Sequence, residues 1–222
     1  MKTKIAIVSA NLGDFDNPEL NIIQILPPDV EVTTFLYTNE NFPPRDKAMT
    51  SRLQARIPKM FGWQMAPGYD YYLWIDGSCK LSSKLSVQWF LDKMDGLDIV
   101  VFEHPNRKSA QEEADYVKHR LSITCPYITP RYAGELIDEQ MAEIKADKTF
   151  EDNVFYASTA FMYRDTPEIR KMMKEWWYHT SRYHIIDQLA FPYVIHTSGV
   201  SFGTIQKSYL KVPYLEYTRV KK

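Results

Sequence analysis

The sequence is short of cysteine. Two occur in 222 residues, Cys79 and Cys125, and no Cys-x-x-Cys pair is present. A structural zinc site and a disulfide scaffold are therefore not expected, and both thiols read as reduced. Glycine is also scarce, with eight residues. No Gly-x-Gly-x-x-Gly fingerprint and no Walker loop exists, which argues against NAD chemistry and P-loop ATP chemistry. No apolar run reaches ~18 residues, so no membrane span is expected. The apolar stretch after Met1-Lys-Thr-Lys is too short for a signal-peptide core, and the expected location is cytoplasmic. Charge of one sign is missing as well. The formal net charge is −1, so nothing global steers the chain to nucleic acid or to an anionic membrane.

Aromatic residues are abundant, at 14% of the chain. That load suits a packed core together with a site that stacks flat groups. The length is enough for one domain with a substantial core, and residues 1–222 read as a single unit without repeats or linkers. Strands are expected at 5–10, 30–38, 69–76, 98–102 and 154–163 from apolar, β-branched and aromatic runs. Helices are expected from Arg45 to about Ile57, and over 86–94, 109–121, 132–146, 167–178 and 185–191. Pro58 is expected to end or kink the first of these, and Pro167 to open the fifth. The alternation predicts an α/β domain, Rossmann-like, with a mainly parallel central sheet and helices on both faces.

The candidate chemistry clusters at strand ends. Tyr71-Tyr-Leu-Trp-Ile-Asp-Gly-Ser78 reads as a strand buried on both faces that stops at an acid. A carboxylate there lies where open α/β sheets bind ligands. Asp76, Gly77 and Ser78 are thus candidates for a metal–nucleotide contact, with Asp76 and Ser78 on the metal. Asp-Gly-Ser is equally ordinary turn chemistry. The loop after the first strand adds Asn11 and Asp14 as candidate nucleotide contacts.

On a helix from Arg45, the four cations Arg45, Arg52, Arg56 and Lys59 fall within about 60° of one another. No acid matches this row within the helix apart from Asp46 nearby, and such a row fits a diphosphate. His104 and Arg107 follow another strand and are candidate substrate and phosphate contacts. Asp187 and Gln188 interrupt an apolar segment. A charge flanked by core residues is costly unless paired or functional, so Asp187 reads either as a catalytic carboxylate or as a partner for Arg182 or His184. Ile169, Met172, Met173, Trp176 and Trp177 lie at core spacing and read as packing. His196, in His-Thr-Ser-Gly, could return an imidazole to the metal. Asp plus His suits Mn²⁺ somewhat better than Mg²⁺.

The basic helix from Arg52 to Lys59, the 71–78 phrase, the His104-Pro-Asn-Arg107 turn with its acidic helix, and Asp187-Gln-Leu-Ala-Phe191 together resemble a GT-A glycosyltransferase. More narrowly, they resemble the glycosyltransferase-like family once grouped as a domain of unknown function (DUF616), whose plant members are linked to cell-wall polysaccharide synthesis. The resemblance spans about residues 45–195. It implies transfer of a sugar from a nucleotide-diphosphate donor, such as a UDP-sugar, to an acceptor hydroxyl with Mn²⁺ or Mg²⁺ assistance. Asp76 would be the metal or sugar-nucleotide residue. Ser78 departs from the usual second acid, which puts strict metal dependence in doubt. Asp187 would act as base or as stabiliser of a cationic sugar, with Gln188 and His104 beside it. A sugar nucleotidyltransferase and a non-catalytic nucleotide- or sugar-binding protein are the alternatives. The acceptor is open among polysaccharide, lipid, protein and modified nucleic acid bases.

Overall fold

The computed structural model describes residues 2–13 and 23–218. Asp14 lies outside the described residues. In chain order the elements are β1 Thr3–Asn11, β2 Val30–Thr38, α1 Ser51–Gln54, α2 Arg56–Met60, α3 Gly62–Met65, β3 Tyr71–Ile75 and β4 Cys79–Leu81. They continue with α4 Ser86–Met94, β5 Ile99–Glu103, α5 Ala110–Ser122, α6 Thr129–Tyr132, α7 Ile137–Ala146, β6 Tyr156–Arg164 and α8 Pro167–Arg182. A 3-10 turn at Asp187–Leu189, α9 Phe191–Thr197, β7 Phe202–Ile205 and β8 Leu215–Tyr217 complete the described chain.

Six strands form the central sheet in the order β2-β1-β3-β6-β5-β7. β1 pairs parallel with β2 and β3, and β5 pairs parallel with β7. β6 runs antiparallel to both of its neighbours, so the sheet is mixed but mainly parallel. Strand direction is not written in composition, because a strand buried on both faces is apolar in either sense.

Alternate side chains along each strand enter opposite cores, as the pleat requires. Ala6, Val8, Tyr72, Trp74 and Phe161 pack on one face with Met60 and with the α8 residues Ile169, Met172, Met173 and Trp176. Ile5, Ile7, Leu73, Ile75 and Phe102 pack on the other face with Val87, Phe90 and Met94 of α4. β4 and β8, a small two-stranded sheet, contribute Leu81 and Leu215 to that second core. A third cluster joins α5 and α7 to Ile186 and Leu189 beside the 3-10 turn.

The expected boundaries shift at several helices: α8 runs on to Arg182, and the helix expected over 185–191 is replaced by the 3-10 turn Asp187–Leu189 followed by α9 from Phe191. Residues 45–50 are turn and coil, and the segment beyond splits into α1 and α2 at Ala55. Pro58 is tolerated near the start of α2, where a missing N–H costs little. The helix expected from Tyr132 starts at Ile137, because Tyr132 ends the short α6 and Gly134 turns the chain with φ +85°.

α8 begins as expected at Pro167, with the Thr166 hydroxyl accepting from the Ile169 N–H. Its packing face is fully buried. Trp176 stacks on Phe191 with ring centroids 4.1 Å apart, and its indole N–H donates to the Asp187 carbonyl at 2.8 Å. The core stripe of α8 thereby fixes the turn that carries Asp187.

Candidate functional site

A cavity of about 520 Å³ opens at the carboxyl ends of β1, β3 and β5. This is the ligand-binding edge of an open α/β sheet. Its wall includes Asn11 from the end of β1, and Asp76, Gly77 and Ser78 from the β3–β4 turn. Arg52 and Arg56 approach from α1 and α2, and His104 and Arg107 follow β5. Asp187 and Gln188 come from the 3-10 turn. Residues separated by more than 170 positions thus converge on one concave surface.

Asp76 continues the β3–β6 ladder, since its N–H donates to the Thr159 carbonyl at 2.8 Å. The Cys79 N–H returns to the Asp76 carbonyl at 2.9 Å and closes the Asp-Gly-Ser turn. One Asp76 carboxylate oxygen, Oδ1, accepts from the Trp74 indole at 2.7 Å and from Lys59 Nζ at 3.3 Å. Its side chain remains 29% exposed toward the cavity.

Lys59 does not belong to a solvent-facing row. Its side chain is 1% exposed. The ammonium lies 2.6 Å from Asp187 Oδ2 and 3.3 Å from Asp76 Oδ1, and donates to Ser158 Oγ at 3.1 Å. Trp74 and Trp176 present ring centroids at 5.5 and 5.7 Å from it. Arg56 Nε lies 3.2 Å from Asp187 Oδ2. The unmatched basic row is therefore corrected: acids from β3 and from the 3-10 turn pair with Arg56 and Lys59. Those partners are remote in sequence, so helical periodicity could not show them. Arg45 also leaves the row, because its segment is not helical and its N–H donates to Gln54 Oε1 at 2.9 Å.

Burial alone would raise the Asp187 carboxyl, but Arg56 and Lys59 outweigh it and hold it below the ordinary carboxylate range. Neither Arg182 nor His184 makes the salt bridge expected of a structural partner; Arg56 and Lys59 do. A carboxylate held below its ordinary range is a weaker proton acceptor than a free one. Glu113 is the opposite case and was not singled out in the sequence. It lines the same cavity, and burial raises its carboxyl, against Arg107 and Gln188, which lower it. Arg107 Nε lies 3.3 Å from Glu113 Oε2, and Gln188 Nε2 donates to Glu113 Oε1 at 2.8 Å.

Glu113 is positioned by the start of α5. The Ser109 hydroxyl accepts from the Glu112 N–H, and Asp152 accepts from the Ala110 and Gln111 N–H groups at 2.7 and 2.8 Å. The available sequence signal was an acidic first turn beside a strand end, which helix dipoles explain equally well. His104 is held neutral, its imidazole pushed down to about 4 by burial and by Arg107. Arg131 and the tyrosines Tyr116, Tyr127 and Tyr132 also line the cavity and were not anticipated. Arg107 stacks on Tyr116 at 4.2 Å, and Arg131 on Tyr127 at 3.6 Å.

His196 does not join the cavity. Its Nε2 lies 2.9 Å from the Tyr156 hydroxyl, and its ring packs against Phe202 and Phe150. α9 delivers it to the aromatic face near β6 and β7, away from Asp76. Among the described residues no group of three His, Cys, Asp or Glu side chains is placed to hold a metal ion. The second acid of an Asp-x-Asp pair is Ser78, and an ammonium already sits beside Asp76. Hard dications want several anionic oxygens and no competing cation. The described residues therefore fit a divalent cation poorly.

The model of the TOD1/MUCI70 glycosyltransferase-like domain matches residues 40–204. Among curated protein sequences no match was found. Solved structures with a detectable likeness include a glycosyltransferase involved in glycosylation of the major capsid of PBCV-1. It shares 10% identity over 91% of this chain and 82% of its own, with a TM-score of 0.45. Mouse xyloside xylosyltransferase 1 in its apo form shares 7% identity over 91% of this chain and 85% of its own, with a TM-score of 0.46. The matched segment carries Asp76, Lys59, Arg52, Glu113 and Asp187, and it covers most of the sequence: the chain belongs to the TOD1/MUCI70 glycosyltransferase-like family.

Proposed function

We propose that the cavity binds a nucleoside-diphosphate sugar and transfers its sugar to an acceptor hydroxyl. The observation that carries this reading is the convergence of Asp76, Arg52, Arg107 and Glu113 on one cavity at the carboxyl edge of the sheet. Such an edge, with fixed cations and carboxylates of different basicity, suits a reaction that separates charge.

In this reading the bond from the anomeric carbon to the diphosphate oxygen breaks, and the electron pair leaves with the phosphate. The acceptor oxygen forms the new bond to that carbon and gives up its proton. The arginines stabilise the departing diphosphate. Glu113 takes the acceptor proton, because a carboxyl raised by burial is a better base near neutral pH than one held down by cations. Asp187 fixes Lys59 and Arg56 beneath the reacting atoms and acts as a positioning residue. Asp76, exposed to the cavity, contacts the sugar nucleotide. No step is routed through a metal ion.

The test is a panel of nucleotide sugars incubated with the full chain, with released nucleoside diphosphate quantified by chromatography. The reading expects one donor to be turned over, with release lost in Asp76→Asn while the melting temperature stays within a few degrees. Absence of release from every donor, together with tight binding of one of them, would instead support a non-catalytic binding protein. The Ser78 position and the fully paired Asp187 are the observations that favour that second reading.

A further inference from the structure

This inference rests on the reading of Glu113 as the group that takes the acceptor proton. Burial makes a carboxyl more basic, but one raised too far is already protonated at working pH and accepts nothing. A buried base therefore needs a cation beside it, and the cation must be held in place.

Both Glu113 oxygens have a neighbour. Gln188 Nε2 donates to Oε1 at 2.8 Å, and Arg107 Nε lies 3.3 Å from Oε2. An ionised carboxylate has about four lone-pair sites, so these contacts leave room for an acceptor hydroxyl. Packing delivers Gln188: Ile186 and Leu189, on either side of it in the chain, share a core cluster with Ala114 and Val117 of α5.

Arg107 is held differently. It lies in the turn between β5 and α5 with its side chain 23% exposed, and a partly exposed arginine has much rotamer freedom to lose. Two contacts restrain it besides Glu113. Its Nη1 donates to the Asn106 carbonyl at 3.1 Å, and its guanidinium carbon lies 4.2 Å from the centre of the Tyr116 ring. Tyr116 follows Glu113 by one helical turn, so ring and carboxylate share a face of α5. A guanidinium stacked flat on a ring keeps its edge nitrogens free to face an acid. Tyr116 is 40% exposed, so its ring is not there to fill the core.

We propose that Tyr116 is a positioning residue for the transfer: its ring holds the Arg107 guanidinium against Glu113, and that cation keeps the base ready for the acceptor proton. Charged groups on the elements packed against α5 face other partners. Asp187 pairs with Lys59 and Arg56, Asp138 of α7 pairs with Lys118, and Glu143 of α7 faces the Tyr183 hydroxyl. Arg131 of α6 stacks on Tyr127, Tyr132 is raised by burial, and Asp152 accepts from the first N–H groups of α5. Burial raises the Glu113 carboxyl and Arg107 lowers it, while burial and Arg107 both lower His104. Withdrawal of Arg107 therefore moves both groups upward.

The experiment has two arms, both on the full chain. The first needs no donor: NMR titration of the Glu113 carboxyl and the His104 ring, assigned through Glu113→Gln and His104→Gln. Tyr116→Leu keeps a good helix former and removes the ring, so both groups should titrate at higher pH than in the wild type. Tyr116→Phe keeps the ring face and should restore both titrations. The second arm is release of nucleoside diphosphate, from about pH 5 to about pH 8, with the donor that the panel identifies. Tyr116→Leu should be about threefold slower on the acidic limb, the scale of an exposed cation–ring contact, and within about a factor of two of wild type at the alkaline end. Unmoved titrations in Tyr116→Leu, no rescue by Tyr116→Phe, or an equal loss of turnover at every pH overturns this inference alone. Absence of release from every donor, with both titrations moving as expected, overturns the transfer reading and the role in transfer with it, and leaves the Tyr116–Arg107–Glu113 contact standing.

Discussion

Replacing Lys59 with methionine tests the organisation of the site at its base. The substitution keeps the aliphatic stem against Trp74 and Trp176 and deletes only the ammonium. At 2.6 Å, the contact with Asp187 Oδ2 corresponds to a Coulomb attraction of about 6 kcal/mol at an effective dielectric of 20. Returning Lys59 to water in the unfolded chain recovers several kcal/mol of its hydration, which offsets part of that attraction. Removing one partner of a buried pair nevertheless costs about 3–5 kcal/mol, because the other charge stays buried. Arg56, at 3.2 Å from the same oxygen, still serves Asp187, so the lower end of that range applies. Lys59→Met should therefore lose about 3 kcal/mol in urea unfolding, a midpoint shift of roughly 1 M.

Two further readings separate this mechanism from a packing defect. Adding Asp187→Asn to Lys59→Met should restore about 1–2 kcal/mol, since a neutral amide needs no cation. The sign of the pH dependence is also fixed. Asp187 is depressed in the folded state, so its stabilising share is present above the unfolded carboxylate value of about 4 and is lost as pH falls through the lower folded value. The gap between wild type and Lys59→Met should therefore narrow below about pH 4. A loss under about 1 kcal/mol, or no rescue by Asp187→Asn, would refute the buried-cation argument.

Other perturbations reach the remaining parts of the account. Glu113→Gln should cut turnover of the identified donor by about 10²–10⁴, the range for a lost general base, while nucleotide affinity changes little. Retention of more than half of the turnover would remove Glu113 from that role. His184 is 2% exposed, and burial pushes its imidazole down to about 4. It is neutral when folded, so its stabilising share is present above the unfolded value of about 6.5 and is lost as pH falls toward 4. Urea midpoints should show about 2 kcal/mol lost from this source between pH 7 and 5, and His184→Gln should flatten that part of the profile.

Much of the fold is legible in the residues, for a physical reason. Strands buried on both faces, such as Tyr71–Ile75 and Ile99–Glu103, are short apolar runs bounded by turn residues. Helices with one buried stripe, such as Ser86–Met94 and Pro167–Arg182, show their period and their caps. The antiparallel sense of β6 has no such signature. The broken segment at α1 and α2 also lacks one, because its basic spacing is compatible with a continuous helix until Gln54 turns back to the Arg45 N–H.

At the site, sequence marks groups at strand ends but not the pairing between them. Asp76, Arg107 and Asp187 stand out because charge follows an apolar run. That Lys59 turns inward to bridge Asp76 and Asp187 depends on contacts across 17 and 128 positions, which local pattern cannot carry. Glu113 was hidden in an acidic first turn that looks like ordinary helix chemistry. His196 shows the reverse error: a metal-like spacing whose imidazole is spent on Tyr156.

The most direct measurement is a crystal structure of the chain grown with the nucleoside diphosphate that binds best. The account predicts nucleotide density in the cavity bounded by Asp76, Arg107 and Glu113. Nucleotide bound outside that cavity would contradict it.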